Sequence, residues 1–215
     1  MSQYGTGVVL KSLFVEGVTL VLVFTFINTE WLRYMIVGAL CIATILLLNF
    51  FRDPERSTPQ GNNIVVSPAD GKVVLVKVVF EPEYLNQEAV QVSIFMSPLN
   101  VHVNRLPVSG KVGYFKHVQG DYLVAFNEKS SERNEQTVIG IENNNGKILF
   151  KQIAGAVARR IVADLTLGQE VRMGERFGMI KFGSRVDVIM PNVIQLKVKL
   201  DDRVVGGETI LATFS

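Results

Sequence analysis

The sequence holds one cysteine, Cys41, and two histidines, His102 and His117, among 215 residues. A single thiol excludes a disulfide framework and a thiolate metal site within the chain. Two histidines are too few for a histidine-rich metal centre, so no metal is expected. Net charge is also scant. The 22 basic and 20 acidic residues are mixed along the chain without a basic block, which points away from nucleic acid as a partner. The chemistry must therefore come from a small set of groups.

What the chain does have is concentrated apolar sequence. Residues 35–51 (MIVGALCIATILLLNFF) run without a charge, close to the roughly 20 residues that cross a bilayer core. Trp31 and Tyr34 stand at one end and Arg52 and Arg56 at the other, as interfacial anchors do. Upstream, Gly17 to Ile27 is apolar, and its extension toward Val8 takes in Glu16 and Lys11, side chains long enough to snorkel. Residues 1–51 are expected to form a membrane-anchoring helical hairpin. A cleaved signal peptide fits less well, because two apolar runs follow one another and no small-residue cleavage site is evident. Lys11, Arg52 and Arg56 on one side against Arg33 on the other predict a cell-membrane protein with its main domain on the cytoplasmic face.

Residues 52–63, rich in proline and turn formers, read as a linker. From residue 64 to 215 the pattern alternates with period two, clearest at 72–80, 89–95, 147–153 and 195–200. One short helix is expected over Ala156 to Asp164. VRMGERFGMIKF from Val171 echoes VVGGETILATF from Val204, with Gly174 and Gly207 in matching places. Each half reads as a strand, a glycine turn and a returning strand. The fold class is mainly β, with barrel-sandwich-like hairpins and some α, behind the membrane hairpin.

Three segments place reactive side chains beside turn formers: SPADGKV (67–73), FMSPLNVHVNRLP (95–107) and RFGMIKFGSRVDVIMP (176–191). Singly, each has an ordinary structural explanation. In this order, behind FFRDPER and with NEKSSERNE (127–135) and KQIAGAVARRIV (151–162), they resemble the phosphatidylserine decarboxylase family, in its short bacterial and archaeal-like form. The resemblance runs from about Phe50 to near the C-terminus.

That resemblance implies a pyruvoyl-dependent carboxy-lyase of phospholipid biosynthesis. A serine following glycine attacks the preceding carbonyl, and elimination from the resulting ester leaves a pyruvoyl group. The matching pair is Gly183 and Ser184, so the expected products are a β chain, 1–183, and an α chain, 184–215, that stay associated. The pyruvoyl group would form a Schiff base with a serine headgroup and replace pyridoxal phosphate as electron sink. Phosphatidylserine would give phosphatidylethanolamine and carbon dioxide.

Serine needs a base and a polarised peptide bond, and glycine leaves the carbonyl open to attack. His102 and Asp70 are the candidates for the base and for the group that holds its tautomer. Longer family members carry a second histidine three places after the first; here that position is Arg105. The base is thus His102, Asp70 or His117. Arg105 and Arg133 are candidate ligands of the lipid phosphate. Another serine-headed lipid, such as archaetidylserine, would undergo the same chemistry. A rival of another class is a non-catalytic, membrane-tethered adaptor with a biotinyl-like fold, though the Met-Lys-Met of such carriers is missing. A homo-oligomer of processed units is compatible with the sequence.

Overall fold

The computed structural model describes residues 1–120, 134–155, 160–181 and 184–214. The chain divides into two compact units, Met1–Pro54 and Glu55–Ser215. The first is a pair of helices, α1 (Thr6–Phe26) and α2 (Glu30–Phe50), each of 21 residues with a mean hydropathy of 2.0. At about 1.5 Å per residue each spans ~31 Å, against a bilayer core of ~30 Å. Both are long and apolar enough to cross a membrane, and side chains such as Phe14, Val21, Phe24, Ile42 and Ile45 lie exposed. Between the two helices the Thr44 hydroxyl of α2 donates to the Glu16 carboxylate of α1. At the tight turn, the Arg33 guanidinium donates to the Ile27 carbonyl.

The second unit is built of strands: β1 (Ile64–Val66), β2 (Gly71–Glu81), β3 (Gln87–Met96), β4 (Val103–Arg105), β5 (Gly110–Val118), β6 (Gln136–Asn143), β7 (Gly146–Ala154), β8 (Arg160–Ala163), β9 (Glu170–Val171), β10 (Arg176–Lys181), β11 (Ser184–Pro191), β12 (Ile194–Leu196), β13 (Arg203–Val204) and β14 (Ile210–Phe214). An eight-stranded sheet runs β13-β2-β3-β11-β7-β6-β5-β9, and two three-stranded sheets run β1-β14-β12 and β4-β10-β8. One apolar core draws on all three, with Ile94, Phe150 and Val186 from the large sheet and Phe177, Ile180, Leu211 and Phe214 from the small ones. The expectation of a mainly β domain behind an apolar helical pair therefore holds.

Three local expectations change. Of the helix foreseen over Ala156–Asp164, residues 156–159 lie outside the described residues, and Arg160–Ala163 is strand β8, paired antiparallel with β10. Tertiary pairing of the β-branched Ile161 and Val162 overrides a modest helix propensity. The strand expected over 195–200 ends at Leu196, because Asp202 Oδ2 accepts from the Lys199 amide and Asp201 adopts φ 73°, closing a turn. The glycine-turn repeats are not hairpins. In each, the first limb joins the large sheet (β9, β13) and the second a small one (β10, β14), with Gly174 at φ 82° and Gly207 at φ 78° between them.

The duplication reaches further than those segments. SPADGKV (67–73) and LPVSGKV (106–112) occupy equivalent places. The Val66 amide donates to the Pro107 carbonyl and the Arg105 amide to that of Pro68, both at 2.9 Å. Gly207 donates to Ser67 at 2.7 Å as Gly174 does to Leu106 at 2.8 Å. The two halves thus clasp one another through reciprocal backbone bonds at their Pro-containing turns.

Residues 55–62, inside the expected linker, are bonded to the domain that follows. Glu55 pairs with Arg176 at 2.8 Å, the Ser57 amide donates to Glu208 at 2.9 Å, and the Asn145 side chain donates to the Asn62 carbonyl.

Candidate active site

Ser184 opens β11, paired on one side with Met96 of β3 and on the other with Ala154 of β7. All eight residues of β11 are buried, and Ser184 is fully so. Both faces of this central strand are covered. Val186, Val188 and Met190 enter the main core, while the Arg185–Asp187 ion pair (2.7 Å) and Ile189 lie on the other face. The serine is therefore held rigidly at the strand's head. Its Oγ has the sulfur of Met96 as partner at 3.2 Å, and a thioether is a weak acceptor.

Asn104 of β4 approaches the same sulfur, with Nδ2 at 3.8 Å. Its Oδ1 accepts from Gln152 of β7 at 2.8 Å. His102 lies two residues before Asn104, directly ahead of β4. It is fully buried, and Ile180 of β10 donates to its carbonyl at 3.4 Å. His102 Nδ1 lies 2.9 Å from the Asn100 carbonyl oxygen, which can only accept, so Nδ1 carries the proton and Nε2 the basic lone pair. The tautomer is thus set by Asn100 rather than by Asp70.

Asp70 ends the SPAD turn, where Ser67 Oγ donates to the Ala69 carbonyl at 2.7 Å. Gly71 follows because a Cβ there would sit 2.3 Å from the Phe95 carbonyl oxygen, so only glycine lets β2 begin this close to β3. Lys72 pairs with Phe95, and Phe95 with Arg185. Asp70 and Ser184 therefore lie at the same end of the sheet, about two strand spacings or ~10 Å apart in backbone terms. The Asp70 carboxylate accepts from Arg56 Nη2 at 2.8 and 3.0 Å and from the Gly206 amide at 2.8 Å. Both side chains of the pair are mostly buried, and Glu208 stands 3.8 Å from the other Arg56 nitrogen. Beside them, the hydrogen bond from Arg176 holds the Glu55 carboxyl below its usual range.

Arg105 is buried, and its Nη1 donates to the Gly174 carbonyl at 3.0 Å. A Cβ on Gly207 would lie 2.7 Å from Arg105 Cδ, so this side chain sits against both glycine turns. One of its guanidinium nitrogens is thus engaged with main chain. His117 is half exposed on β5, with Nε2 3.5 Å from Glu135. Its row runs through Thr137 and Gln152 to Val186, three strand spacings or about 14 Å away from β11. Asp70 thus lies at the Ser184 end of the large sheet and His117 away from it, while His102 stands two residues before Asn104, whose side chain approaches Met96. Gly183 and Arg133 lie outside the described residues.

Arg56, Asn104 and Gln152 are the site neighbours that sequence reasoning missed. Asn104 had a signal, the i, i+2 spacing from His102; Gln152 and Arg56 had none beyond their segments. Among the described residues no group of three His, Cys, Asp or Glu side chains could hold a metal ion. A cavity of about 540 Å³ lies elsewhere, lined by Ser109, Lys111, Glu142, Asn145 and Met173 among others, with none of the candidate residues in it.

A family model described as phosphatidylserine decarboxylase matches residues 43–212. A phosphatidylserine decarboxylase proenzyme of Chlorobium chlorochromatii is 43% identical over 216 residues, covering 100% of both chains. Proenzymes of the same name from Chlorobaculum tepidum (44% identical, 98% of this chain and 96% of that one) and Amoebophilus asiaticus (49%, 81% and 80%) are also similar.

Proposed function

The chain belongs to the phosphatidylserine decarboxylase family and is a carboxy-lyase acting on phosphatidylserine, and we propose that its reactive group is made from its own Ser184. What carries the reading is the state of that serine: buried, fixed at the head of a central strand and, among the described residues, bonded to nothing stronger than a thioether. A hydroxyl so placed keeps its lone pairs for attack on the carbonyl before it. The relatives' designation as proenzymes fits a chain that matures by cleavage.

In this reading Ser184 Oγ attacks the Gly183 carbonyl, and the Oγ proton passes to His102 Nε2, whose tautomer is already that of a base. The C–N bond breaks, the proton moves to the released nitrogen, and an ester joins Oγ to residue 183. Loss of the Ser184 α-proton expels the Gly183 carboxylate, and water releases ammonia from what remains. Asp70, held by Arg56, contributes fixed negative charge at this end of the sheet. The surroundings suit a pyruvoyl group, because Ser184 is fully buried with one carboxamide at hand. Such a group supplies a carbonyl electron sink for decarboxylation.

His102 is also the group that returns a proton to the decarboxylated carbon. Arg133 and Arg105 are the candidates for the lipid phosphate, with Arg133 favoured because Arg105 Nη1 already donates to the Gly174 carbonyl. The apolar helical pair would hold the enzyme at the bilayer that contains its substrate, and the distribution of Lys11, Arg33 and Arg52 supports a cytoplasmic catalytic unit. The adaptor alternative is set aside with the family assignment.

The test is a denaturing gel. The purified protein should separate into fragments of 183 and 32 residues, the smaller with a blocked N-terminus that reacts with carbonyl reagents. Ser184→Ala should stay whole and inactive. A wild-type chain that remains intact yet decarboxylates the lipid would overturn the proposal.

A further inference from the structure

Met96 Sδ is a poor terminus for two hydrogen bonds, yet it is where both Ser184 Oγ (3.2 Å) and Asn104 Nδ2 (3.8 Å) point. Sharing one sulfur keeps the hydroxyl and the carboxamide within about 7 Å of each other. The orientation of the amide is set by its neighbours. The Val162 carbonyl, which only accepts, takes Gln152 Nε2 at 3.3 Å, and the same nitrogen donates to Asn104 Oδ1 at 2.8 Å. Asn104 therefore turns its N–H bonds toward the Met96 and Ser184 side. Asn104 is fully buried, and among the described residues its Nδ2 has no acceptor better than the thioether. Leaving a buried donor so poorly matched costs about 1–3 kcal/mol, and such a group calls for a reason.

We propose that Asn104 is a catalytic residue of self-cleavage, its Nδ2–H donating to the Gly183 carbonyl oxygen as negative charge gathers there. The proposal rests on the reading that Ser184 attacks that carbonyl. In the step concerned the Oγ–C bond forms, the Oγ proton goes to His102, and the carbonyl π pair moves onto oxygen. The charge is discharged when the C–N bond breaks and the nitrogen takes a proton. A donor that is already in place, among buried side chains, stabilises that oxygen with no reorganisation. The developing oxyanion is a stronger acceptor than sulfur or a neutral carbonyl, which is the condition for speeding the step rather than tightening the ground state. Gln152 is a positioning residue that fixes which edge of the amide faces the bond.

The discriminating variant is Asn104→Asp. It keeps the size of the side chain and the oxygen that accepts from Gln152, and it removes the N–H. Following cleavage of newly made full-length chain on a denaturing gel, we expect a slowing of about 100-fold or more, the usual cost of one oxyanion donor. Hydroxylamine, which splits an accumulated ester, should release no fragments from this variant, because the block precedes the ester. Asn104→Leu, uncharged, should be slowed to a similar degree and guards against an effect of buried charge. Wild-type cleavage in either variant, or hydroxylamine-dependent splitting of Asn104→Asp, overturns the role. A wild-type chain that is never cut between 183 and 184 instead overturns the reading beneath it, so the two failures are separable.

Discussion

Replacing Arg56 with glutamine would leave the Asp70 carboxylate in place without its counter-ion. The two oxygens lie 2.8 and 3.0 Å from Arg56 Nη2, and the side chains are 14% and 16% exposed. At an effective dielectric of about 20, opposite charges ~4 Å apart attract by about 4 kcal/mol. Burial of both groups offsets part of that. The net should fall between the ≲1 kcal/mol of an exposed pair and the 3–5 kcal/mol of breaking a fully buried one, so about 2 kcal/mol. For a unit of this size that is a fall in Tm of about 4–8 °C. Heat unfolding of the detergent-solubilised Ser184→Ala background, followed by near-ultraviolet circular dichroism, reads this without interference from cleavage. Arg56→Gln/Asp70→Asn, with neither charge left, should recover most of the loss. On the wild-type background the double variant should still mature slowly, because the carboxylate is gone. A shift below about 1 °C for Arg56→Gln, or a double variant no more stable than the single one, would refute the reasoning.

Arg105→Lys keeps the charge but not the geometry of the contact to Gly174; it should lower Tm by several degrees while leaving KM for the lipid within about twofold, read by decarboxylation assays on matured enzyme. A raised KM at unchanged Tm would return Arg105 to the phosphate. Glu55 has its folded pKa depressed by Arg176, so its contribution is present above its ordinary value of 4.5 and is lost as pH falls through the lower folded value. Limited proteolysis across residues 52–60 should therefore accelerate at acid pH, and Glu55→Gln should be cut rapidly at neutral pH as well.

Much of the architecture was legible because it rests on local pattern. The charge-free run at 35–51 has the length of a bilayer core, and the period-two alternation at 72–80 and 147–153 marks β2 and β7, although β7 is buried on both faces. Strand β3 shows the alternation at 89–95 although both its faces are covered, whereas β11, with Arg185 and Asp187 buried among its apolar residues, carries no such mark. Arg160–Ala163 misled because its neighbours along the chain favour helix while its partner, β10, lies some 18 positions away. At the site, Ser184, His102 and Asp70 were legible as reactive types beside turns. Their partners were not, since Asn100 acts through a main-chain carbonyl and Arg56 reaches Asp70 across 14 residues. Backbone acceptors and nonlocal ion pairs leave no mark on spacing.

The duplication offers an internal control on what Asp70 is for. In one half its Oδ1 accepts from the Gly206 amide at 2.8 Å; in the other, Ser109 Oγ accepts from the Met173 amide at 2.9 Å, in the equivalent turn. A neutral hydroxyl thus suffices to satisfy that amide and close the turn. The carboxylate at position 70 exceeds the structural need, and among the described residues it is answered by Arg56, for which the Ser109 turn has no counterpart. Burying a charge together with its counter-ion is, on balance, a weak source of stability. The asymmetry is confined to the half whose turn lies one strand from Ser184, and the other half faces the cavity lined by Ser109 and Lys111, which holds none of the proposed catalytic side chains. Charge has been added beside the peptide bond proposed to break and not where only the fold has to close, which is the distribution expected if Asp70 serves the chemistry rather than the scaffold.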